Sequence, residues 1–248
     1  MKVLLACLFL LASTSLAKTI TVAVIDTGID ASSVSKLCKF GHKAFTGRRD
    51  DALKDTIGHG THIAGLIQQH AGEDADYCMV SLKWFDEKAD SDQNLFNLQR
   101  ALRYAINIKV DFINISGGGI EPNPTERSLI IEALNKGIKV VVAAGNEGHD
   151  LTFSCNYFPA CYDSRLVVVG NLLHQSPDKV SRWAWVQSTM RLDSDKNESS
   201  NYGAYVNRWE VGTDVVSKLP GGITGTMTGT SQATAIATGK LIKERLAR

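Results

Sequence analysis

The sequence contains little of what marks specialised classes of protein. Only 5 of its 248 residues are proline, 7% are aromatic, and no segment repeats along the chain. These absences exclude collagen-like, low-complexity and repeat proteins. Lys and Arg (27) balance Asp and Glu (26), and the net charge of +1 gives no reason to expect a nucleic-acid or anionic-membrane partner.

Long hydrophobic runs are absent apart from one short stretch at the N-terminus. Lys2 precedes an apolar segment at residues 3–11, and Ser15 and Ala17 are small residues suited to a cleavage site. The stretch is too short to span a bilayer, but it is typical of a secretory signal peptide. We therefore expect residues 1–17 to be a signal peptide and the protein to be secreted or periplasmic, with no membrane attachment after cleavage.

Cysteine is scarce, and no Cys-x-x-Cys motif is present to indicate a zinc or redox site. Cleavage of the signal peptide would remove Cys7 and leave four cysteines. An even number in an oxidising compartment predicts two disulfides, for which three pairings are possible. The short separation of Cys155 and Cys161 favours that pair, which leaves Cys38 with Cys78.

The rest of the chain alternates between apolar strands and amphipathic helices. Runs rich in β-branched residues predict buried strands at residues 19–25, 77–84, 110–115, 140–144 and 166–169. Helices are predicted near residues 93–108, from an N-cap at Asn123 to a stop at Gly137, and from Thr230 onward. This order predicts an α/β fold in which one mostly parallel sheet is covered by helices on both faces, with residues 18–248 as a single domain.

Four residues at the ends of strands or the starts of helices form a chemical set. Asp26 and Asn146 follow predicted strands, and His59 and Ser231 open helices. A serine hydroxyl becomes an effective nucleophile when a base takes its proton, and histidine is the usual base near neutral pH. A carboxylate fixes the tautomer of that histidine and stabilises its charged form. The amide of Asn146 and the backbone N–H of Ser231 are suitable donors for an oxyanion.

The motifs around these residues resemble those of the subtilase (subtilisin-like) family of serine peptidases. They read DTGI at 26–29, GHGTHIAG at 58–65, AAGN at 143–146 and GTSQATA at 229–235, in the family's order of Asp, His and Ser. The resemblance covers most of the chain. It implies a three-layer αβα fold and a secreted endopeptidase that hydrolyses peptides or proteins. The alternative is a catalytically silent relative that binds peptides.

The resemblance also assigns a role to each of these residues. Ser231 is the nucleophile, His59 the general base and acid, Asp26 the orienting carboxylate, and Asn146 an oxyanion-hole donor. Substrate-binding residues follow by the same resemblance: Ser116, Gly117, Gly118, Ala143, Ala144, Gly145, Glu147 and Tyr157.

The specificity of the S1 pocket, which takes the side chain before the scissile bond (P1), rests on two of these residues. Tyr157 stands where relatives often have a small residue at the floor of S1, so we expect it to favour small or medium P1 side chains. Glu147 at the rim would instead favour a basic P1 residue. The resemblance also implies a cis Phe158–Pro159 peptide bond.

Other readings of these motifs fit less well. An aspartic peptidase needs two Asp-Thr-Gly motifs or a dimer, whereas this chain has one. His59 and His62 have no Glu between them and no evident third metal ligand. Asp193, Asp195 and Asn197 are spaced like an incomplete calcium loop that lacks the usual Gly and Glu. We therefore expect no metal and no cofactor.

The resemblance finally implies a compact family member without an N-terminal pro-domain. Only residues 18–25 separate the predicted cleavage site from Asp26. We expect a monomer that either folds unaided or is assisted by a folding helper or inhibitor encoded separately.

Overall fold

A seven-stranded parallel sheet runs through the computed structural model, which describes residues 18–47, 50–173 and 197–248. The strands follow the spatial order β2-β3-β1-β4-β5-β6-β7. Their bounds are β1 Ile20–Asp26, β2 Lys43–Ala44, β3 Tyr77–Lys83, β4 Phe112–Ile115, β5 Lys139–Ala143, β6 Val167–Leu172 and β7 Arg208–Val211. The predicted signal peptide with Cys7, and the pair Asp193 and Asp195, lie outside the described residues.

Within the described ranges, four α-helices cover the sheet, and their boundaries follow from local sequence signals. They are α1 His59–Ala71, α2 Ser91–Asn107, α3 Pro124–Asn135 and α4 Thr230–Leu246. The side chain of Asp90 caps α2 by accepting from the Gln93 N–H at 2.7 Å. At the start of α3, Asn123 accepts from two backbone N–H groups, and Pro124 takes the first helical position.

The two faces of β1 show how the layers are formed. Ala23 and Ile25 belong to a core with the buried residues of α2 and α3, whereas Val22 and Val24 belong to a core with those of α1 and α4. Alternate residues of a strand face opposite sides of the sheet, so both faces of β1 are apolar. The predicted α/β fold, with a three-layer αβα arrangement, is confirmed.

The strand order places a switch point beside β1. The chain adds β3 on one side of β1 and then crosses to add β4 on the other. In open α/β sheets, ligands bind in the crevice outside the carboxyl ends of the strands at such a point. Asp26 ends β1, Ser116 follows β4, and Asn146 lies three residues beyond β5, so this edge gathers several of the predicted site residues.

The structure contains both predicted disulfides and several elements that the sequence patterns missed, among them β2, β7 and a hairpin. Cys38 is bonded to Cys78 and Cys155 to Cys161. The hairpin is antiparallel, consists of β8 (Val215–Lys218) and β9 (Thr224–Met227), and packs against α1. Among the described residues, no helix has both the length and the apolar character needed to cross a membrane.

Candidate active site

Asp26 and His59 form a directly hydrogen-bonded pair at the carboxyl edge of the sheet. Asp26 is buried (4% exposed), and its Oδ1 accepts from His59 Nδ1 at 2.8 Å and from the Thr27 N–H at 2.8 Å. When Nδ1 carries the proton in this bond, Nε2 is the basic nitrogen of the ring. The half-buried His59 therefore has its tautomer set by a carboxylate, as a general base requires.

The absence of a side chain at Gly60 allows this pair to form. A Cβ atom at Gly60 would lie 2.1 Å from the carbonyl oxygen of Gly28 and 3.1 Å from the Asp26 Cβ. The first distance is far below any contact that a real Cβ makes. Only glycine therefore lets the first turn of α1 come this close to the end of β1.

The environment of His59 favours its charged form. Burial lowers the pKa of His59, but the charge and hydrogen bond of Asp26, together with the charge of Asp55, raise it above its ordinary value of 6.5. His62, one turn further along α1, is affected in the opposite direction. Burial lowers the pKa of His62, although hydrogen bonds to the carbonyls of Gly225 and Val215 partly oppose the change.

Ser231 lies in the first turn of α4, and Ser116 holds it from two sides. The Ser231 hydroxyl donates to the carbonyl oxygen of Ser116 at 2.7 Å, and the Ser116 hydroxyl donates to the carbonyl oxygen of Ser231 at 3.1 Å. The Ser231 hydroxyl thus donates to Ser116 rather than to His59. Hydrogen bonds of catalytic groups are often formed only once substrate is bound.

Asn146 is anchored to the start of the same helix. Its Oδ1 accepts from the Thr230 N–H at 2.9 Å and from the Thr230 hydroxyl at 3.1 Å. The Nδ2 amide is left as a donor that no described residue engages. The N–H groups in the first turn of a helix have no partner within the helix, and the helix dipole favours negative charge there. Asn146 and the N–H of Ser231 therefore suit an anion at this position.

A second asparagine, Asn201, holds the loop that carries Asn146. Asn201 is 1% exposed, and its Nδ2 donates to the Ala144 carbonyl at 2.9 Å and to the Glu147 carboxylate at 2.6 Å. Its Oδ1 accepts from the N–H groups of Glu147 at 3.2 Å and His149 at 2.8 Å. The sequence motifs do not identify Asn201, because the segment SSNYG does not indicate which groups its asparagine bonds.

The ring of Tyr157 fills the space between the backbones of Gly118 and Gly145, two of the predicted substrate-binding residues. Tyr157 is buried (7% exposed). A Cβ atom would lie 2.8 Å from the ring if added at Gly118, and also 2.8 Å if added at Gly145. Both backbone segments can therefore pack against the ring only because each has a glycine at the point of contact. Burial, together with the nearby Glu147 carboxylate, raises the pKa of Tyr157 above its ordinary value.

The remaining predicted substrate-binding residues differ in their access to the cleft. Ala143 and Ala144 are buried, and the N–H and carbonyl of Ala144 are engaged by Val169 and Asn201. Glu147 is exposed at the surface. Beside the Tyr157 wall, the predicted Phe158–Pro159 bond is cis.

An apolar cavity of about 360 Å³ opens beside His59 and was not predicted. Ile57, Trp84 and Phe85 line it together with Gly117 and Gly118. Trp84 and Phe85 directly follow β3. Their position at the carboxyl edge of the sheet was the sequence feature that could have predicted their place in this cavity. A larger cavity of about 760 Å³ is lined by residues 42–45, 47 and 50–53 and by Arg100, and shares no residue with this site.

The described part of the chain contains no group of three or more His, Cys, Asp or Glu side chains that would hold a metal ion. In the predicted calcium segment, the side chain of Asn197 accepts from the N–H and hydroxyl of Ser199. The expectation that the protein needs no metal or cofactor stays a prediction.

Comparison with known sequences points to one family of serine proteases. The family model described as the subtilase family, Peptidase S8, matches residues 17–244. The major intracellular serine protease of Bacillus subtilis is 32% identical over 236 residues, which are 90% of this chain and 67% of that protein. The alkaline extracellular protease of Yarrowia lipolytica is 30% identical over 226 residues, which are 85% of this chain and 44% of that protein. The chain thus spans about two thirds of the length of the first relative and less than half of the length of the second.

Solved structures give the same fold. The crystal structure of a lanthipeptide protease superposes with a TM-score of 0.72 at 20% identity, covering 92% of this chain and 75% of that one. A cold-adapted subtilisin-like serine proteinase superposes with a TM-score of 0.67 at 23% identity, covering 91% of this chain and 76% of that one.

The opposite environments of the two histidines of α1 are testable by NMR titration of their rings. We expect the pKa of His59 to lie above 6.5 and that of His62 to lie below it. Replacement of Asp26 by Asn should lower the pKa of His59, because the carboxylate that stabilises the imidazolium is lost. His62 serves as the internal control. A pKa of His59 below 6.5 in the unmodified protein would contradict this account.

Replacement of Asn201 by Ala should impair the site as well as the fold. The loss of four hydrogen bonds frees the loop around Asn146, so we expect kcat for peptide hydrolysis to fall by about 10-fold to 10³-fold, the upper limit being complete loss of one oxyanion donor. Asn207→Ala is the matched control, because the Asn207 side chain also bonds backbone groups of a distant segment, the N–H of Val168 and the carbonyl of Leu166.

Each of these two variants leaves buried backbone groups without partners. Each should therefore lower the free energy of unfolding by about 1–3 kcal/mol. At a temperature where both variants are folded, only the Asn201 variant should lose kcat. Equal losses of kcat would show that Asn201 acts through general stability alone.

Proposed function

The chain belongs to the subtilase family, and we propose that it is a serine endopeptidase that hydrolyses peptides or proteins through an acyl-enzyme intermediate. The proposal is carried by one observation. The Asp26–His59 hydrogen bond of 2.8 Å lies at the sheet edge to which α4 brings Ser231, next to the strand end at Ser116. These are the parts that nucleophilic acyl transfer requires.

The proposed reaction begins when the Ser231 hydroxyl turns from the Ser116 carbonyl to His59. Nε2 of His59 takes the hydroxyl proton as Oγ bonds to the carbonyl carbon of the substrate. Asp26 stabilises the resulting imidazolium, which then donates the proton to the leaving amine as the peptide bond breaks. Water repeats the sequence on the acyl-enzyme and releases the acid. Because the base must be neutral, the rate should rise as the pH passes upward through the pKa of His59.

The negative oxygen of the tetrahedral intermediate would be stabilised by Asn146 and the N–H of Ser231. Anchoring of Oδ1 by Thr230 supports this role, because it fixes the Asn146 amide before substrate arrives. Donors that are fixed in advance need no reorganisation as charge develops on the oxyanion.

The segment Ser116–Gly118 would pair with the substrate backbone, and Tyr157 would limit the P1 side chain. Pairing through main-chain hydrogen bonds accepts many sequences, so selectivity falls to the side-chain pockets. The position of the Tyr157 ring between Gly118 and Gly145 supports a preference for small P1 residues. Because Asn201 already binds the Glu147 carboxylate, attraction of a basic P1 residue by Glu147 is the weaker alternative.

We further propose that the protein is exported after cleavage near Ala17. The charged and apolar pattern of residues 2–17 and the two disulfides support export, since disulfides persist in oxidising compartments. The relatives include an intracellular and an extracellular protease, and do not decide between the two locations.

One observation speaks for the catalytically silent alternative: the Ser231 hydroxyl donates its hydrogen bond to Ser116 and not to His59. A fluorophosphonate probe separates the two functions, because it reacts only with an activated serine. We expect the full chain to be labelled at Ser231 and to cleave peptides, with both activities lost in Ser231→Ala. Asn146→Ala should lower kcat by roughly 10²–10³, the magnitude measured on a subtilisin.

A folded protein that the probe does not label would instead support the peptide-binding function. The intact mass of the labelled species also tests export, because removal of residues 1–17 would leave Lys18 as the first residue.

The role of Tyr157 is tested by profiling a peptide library. We expect the protein to prefer Gly, Ala or Ser at P1. Tyr157→Gly should raise kcat/KM for P1 Phe relative to P1 Ala by about 10-fold to 100-fold, since burial of a large apolar side chain contributes about 1.5–3 kcal/mol. Tyr157→Phe keeps the ring and should keep the original preference. A strong preference for P1 Phe in the unmodified protein would exclude this role.

A further inference from the structure

Asp55 is a buried carboxylate close to His59 that none of the roles above uses. It lies between β2 and α1 and is 5% exposed. Among the described residues it forms no ion pair with Lys or Arg. Its charge is instead balanced by five hydrogen bonds, an unusually complete set for one side chain.

Those hydrogen bonds all lead to segments next to the catalytic pair. Oδ1 accepts from the Thr27 hydroxyl at 3.0 Å and from the N–H groups of Ile57 at 3.1 Å and Gly58 at 2.8 Å. Oδ2 accepts from the N–H of Thr61 at 2.9 Å and from its hydroxyl at 2.6 Å. Asp55 therefore binds the residue just before His59 and the residue two positions after it.

Thr27 extends this connection to Asp26. Its hydroxyl accepts from the Gly60 N–H at 2.9 Å, and its own N–H donates to Asp26 Oδ1 at 2.8 Å. The residues on both sides of His59 are thus linked, through Asp55 and Thr27, to the residue that follows Asp26. A shift of either strand end or helix start would break several of these bonds together.

The position of Asp55 also matters electrostatically. His59 is the first residue of α1, and the positive end of a helix dipole disfavours an imidazolium there. A buried carboxylate at the same helix end opposes that effect. Asp26 on β1 also acts on His59, and His59 in turn acts on His62 of α1, whose pKa is lowered mainly by burial.

We infer that Asp55 is a positioning residue of the proposed peptidase. It fixes the start of α1 against the end of β1, so that His59 meets Asp26 in one geometry, and it stabilises the imidazolium that forms when Ser231 gives up its proton. This inference rests on the proposed function for its catalytic consequence, whereas its structural and electrostatic part is measurable without activity.

The first experiment uses the protein without its nucleophile. In full-length Ser231→Ala protein, the pKa of His59 is measured by NMR with and without Asp55→Asn. We expect Asp55→Asn to lower the pKa of His59, because a neighbouring negative charge is removed. An unchanged pKa overturns the electrostatic part of the inference whether or not the protein is a peptidase.

The second experiment measures peptide hydrolysis by the active protein as a function of pH. Asp55→Asn should lower kcat by about 10-fold to 100-fold with KM little changed, since small displacements of a catalytic group have effects of this size. The acid limb of the pH profile should move to lower pH. Asp90→Asn is the matched control, because Asp90 caps α2 through its side chain and lies outside the site. It should leave kcat and the profile unchanged.

A double-mutant cycle separates positioning from general stability. In an Asp26→Ala background, Asp55→Asn should have at most a two-fold further effect on kcat, because the pair that it aligns is already lost. Fully additive losses would overturn the inference. If Asp55→Asn does not fold, Thr27→Val replaces it in the cycle, since it breaks the link to Gly60 while keeping the volume.

Failure of the proposed function has a different signature. In that case the unmodified protein would neither hydrolyse peptides nor react with the fluorophosphonate probe, while the NMR experiment would still report on Asp55.

Discussion

The close packing of Gly60 against the carbonyl of Gly28 is the constraint on which the site depends. It permits the first turn of α1 to begin against the end of β1, where the Asp26 carboxylate reaches His59 at 2.8 Å. Even the single methyl group of an alanine would separate these elements, and the carboxylate and imidazole would then have to meet through water. The hydrogen bond that sets the tautomer of His59 therefore depends on this contact between two backbones.

Ser231, the proposed nucleophile, depends on a different kind of support, a line of polar groups inside the protein. The Thr238 hydroxyl of α4 donates to Asn114 of β4 at 2.9 Å, Asn114 donates to Ser116 at 3.0 Å, and Ser116 donates to the Ser231 carbonyl. Each of these groups is buried or nearly so, and each is satisfied by its neighbour. Because an unsatisfied polar group in the core is costly, such a line fixes the rotation and depth of α4 more strictly than apolar packing would.

The sequence reveals the parts of the site that act through their own chemistry and conceals those that act through contacts. Asp26, His59, Asn146 and Ser231 are recognisable because their residue types and flanking glycines are specific to one reaction. The buried strands are recognisable because both of their faces are apolar.

Asp55 and Asn201 give no such signal, since a carboxylate or an amide in a polar loop is ordinary until its partners are known. Ile57, Trp84 and Phe85 were missed because an apolar side chain near a strand end is as readily part of the core as of a cleft. The short β8–β9 hairpin was missed because its two strands have four residues each and are largely exposed, and because β9 consists mostly of Thr and Gly.

The order of the site residues along the chain determines when the site can form during synthesis. The carboxylate, the base, the amide and the nucleophile come from four segments far apart in the chain, and the nucleophile is the last of them. During synthesis, a growing chain that ends before residue 230 has its base and carboxylate but no serine to activate. The chemistry therefore arises only after the sheet that holds the other three groups has been made. A growing chain that is still shorter than 231 residues therefore cannot carry out the proposed hydrolysis.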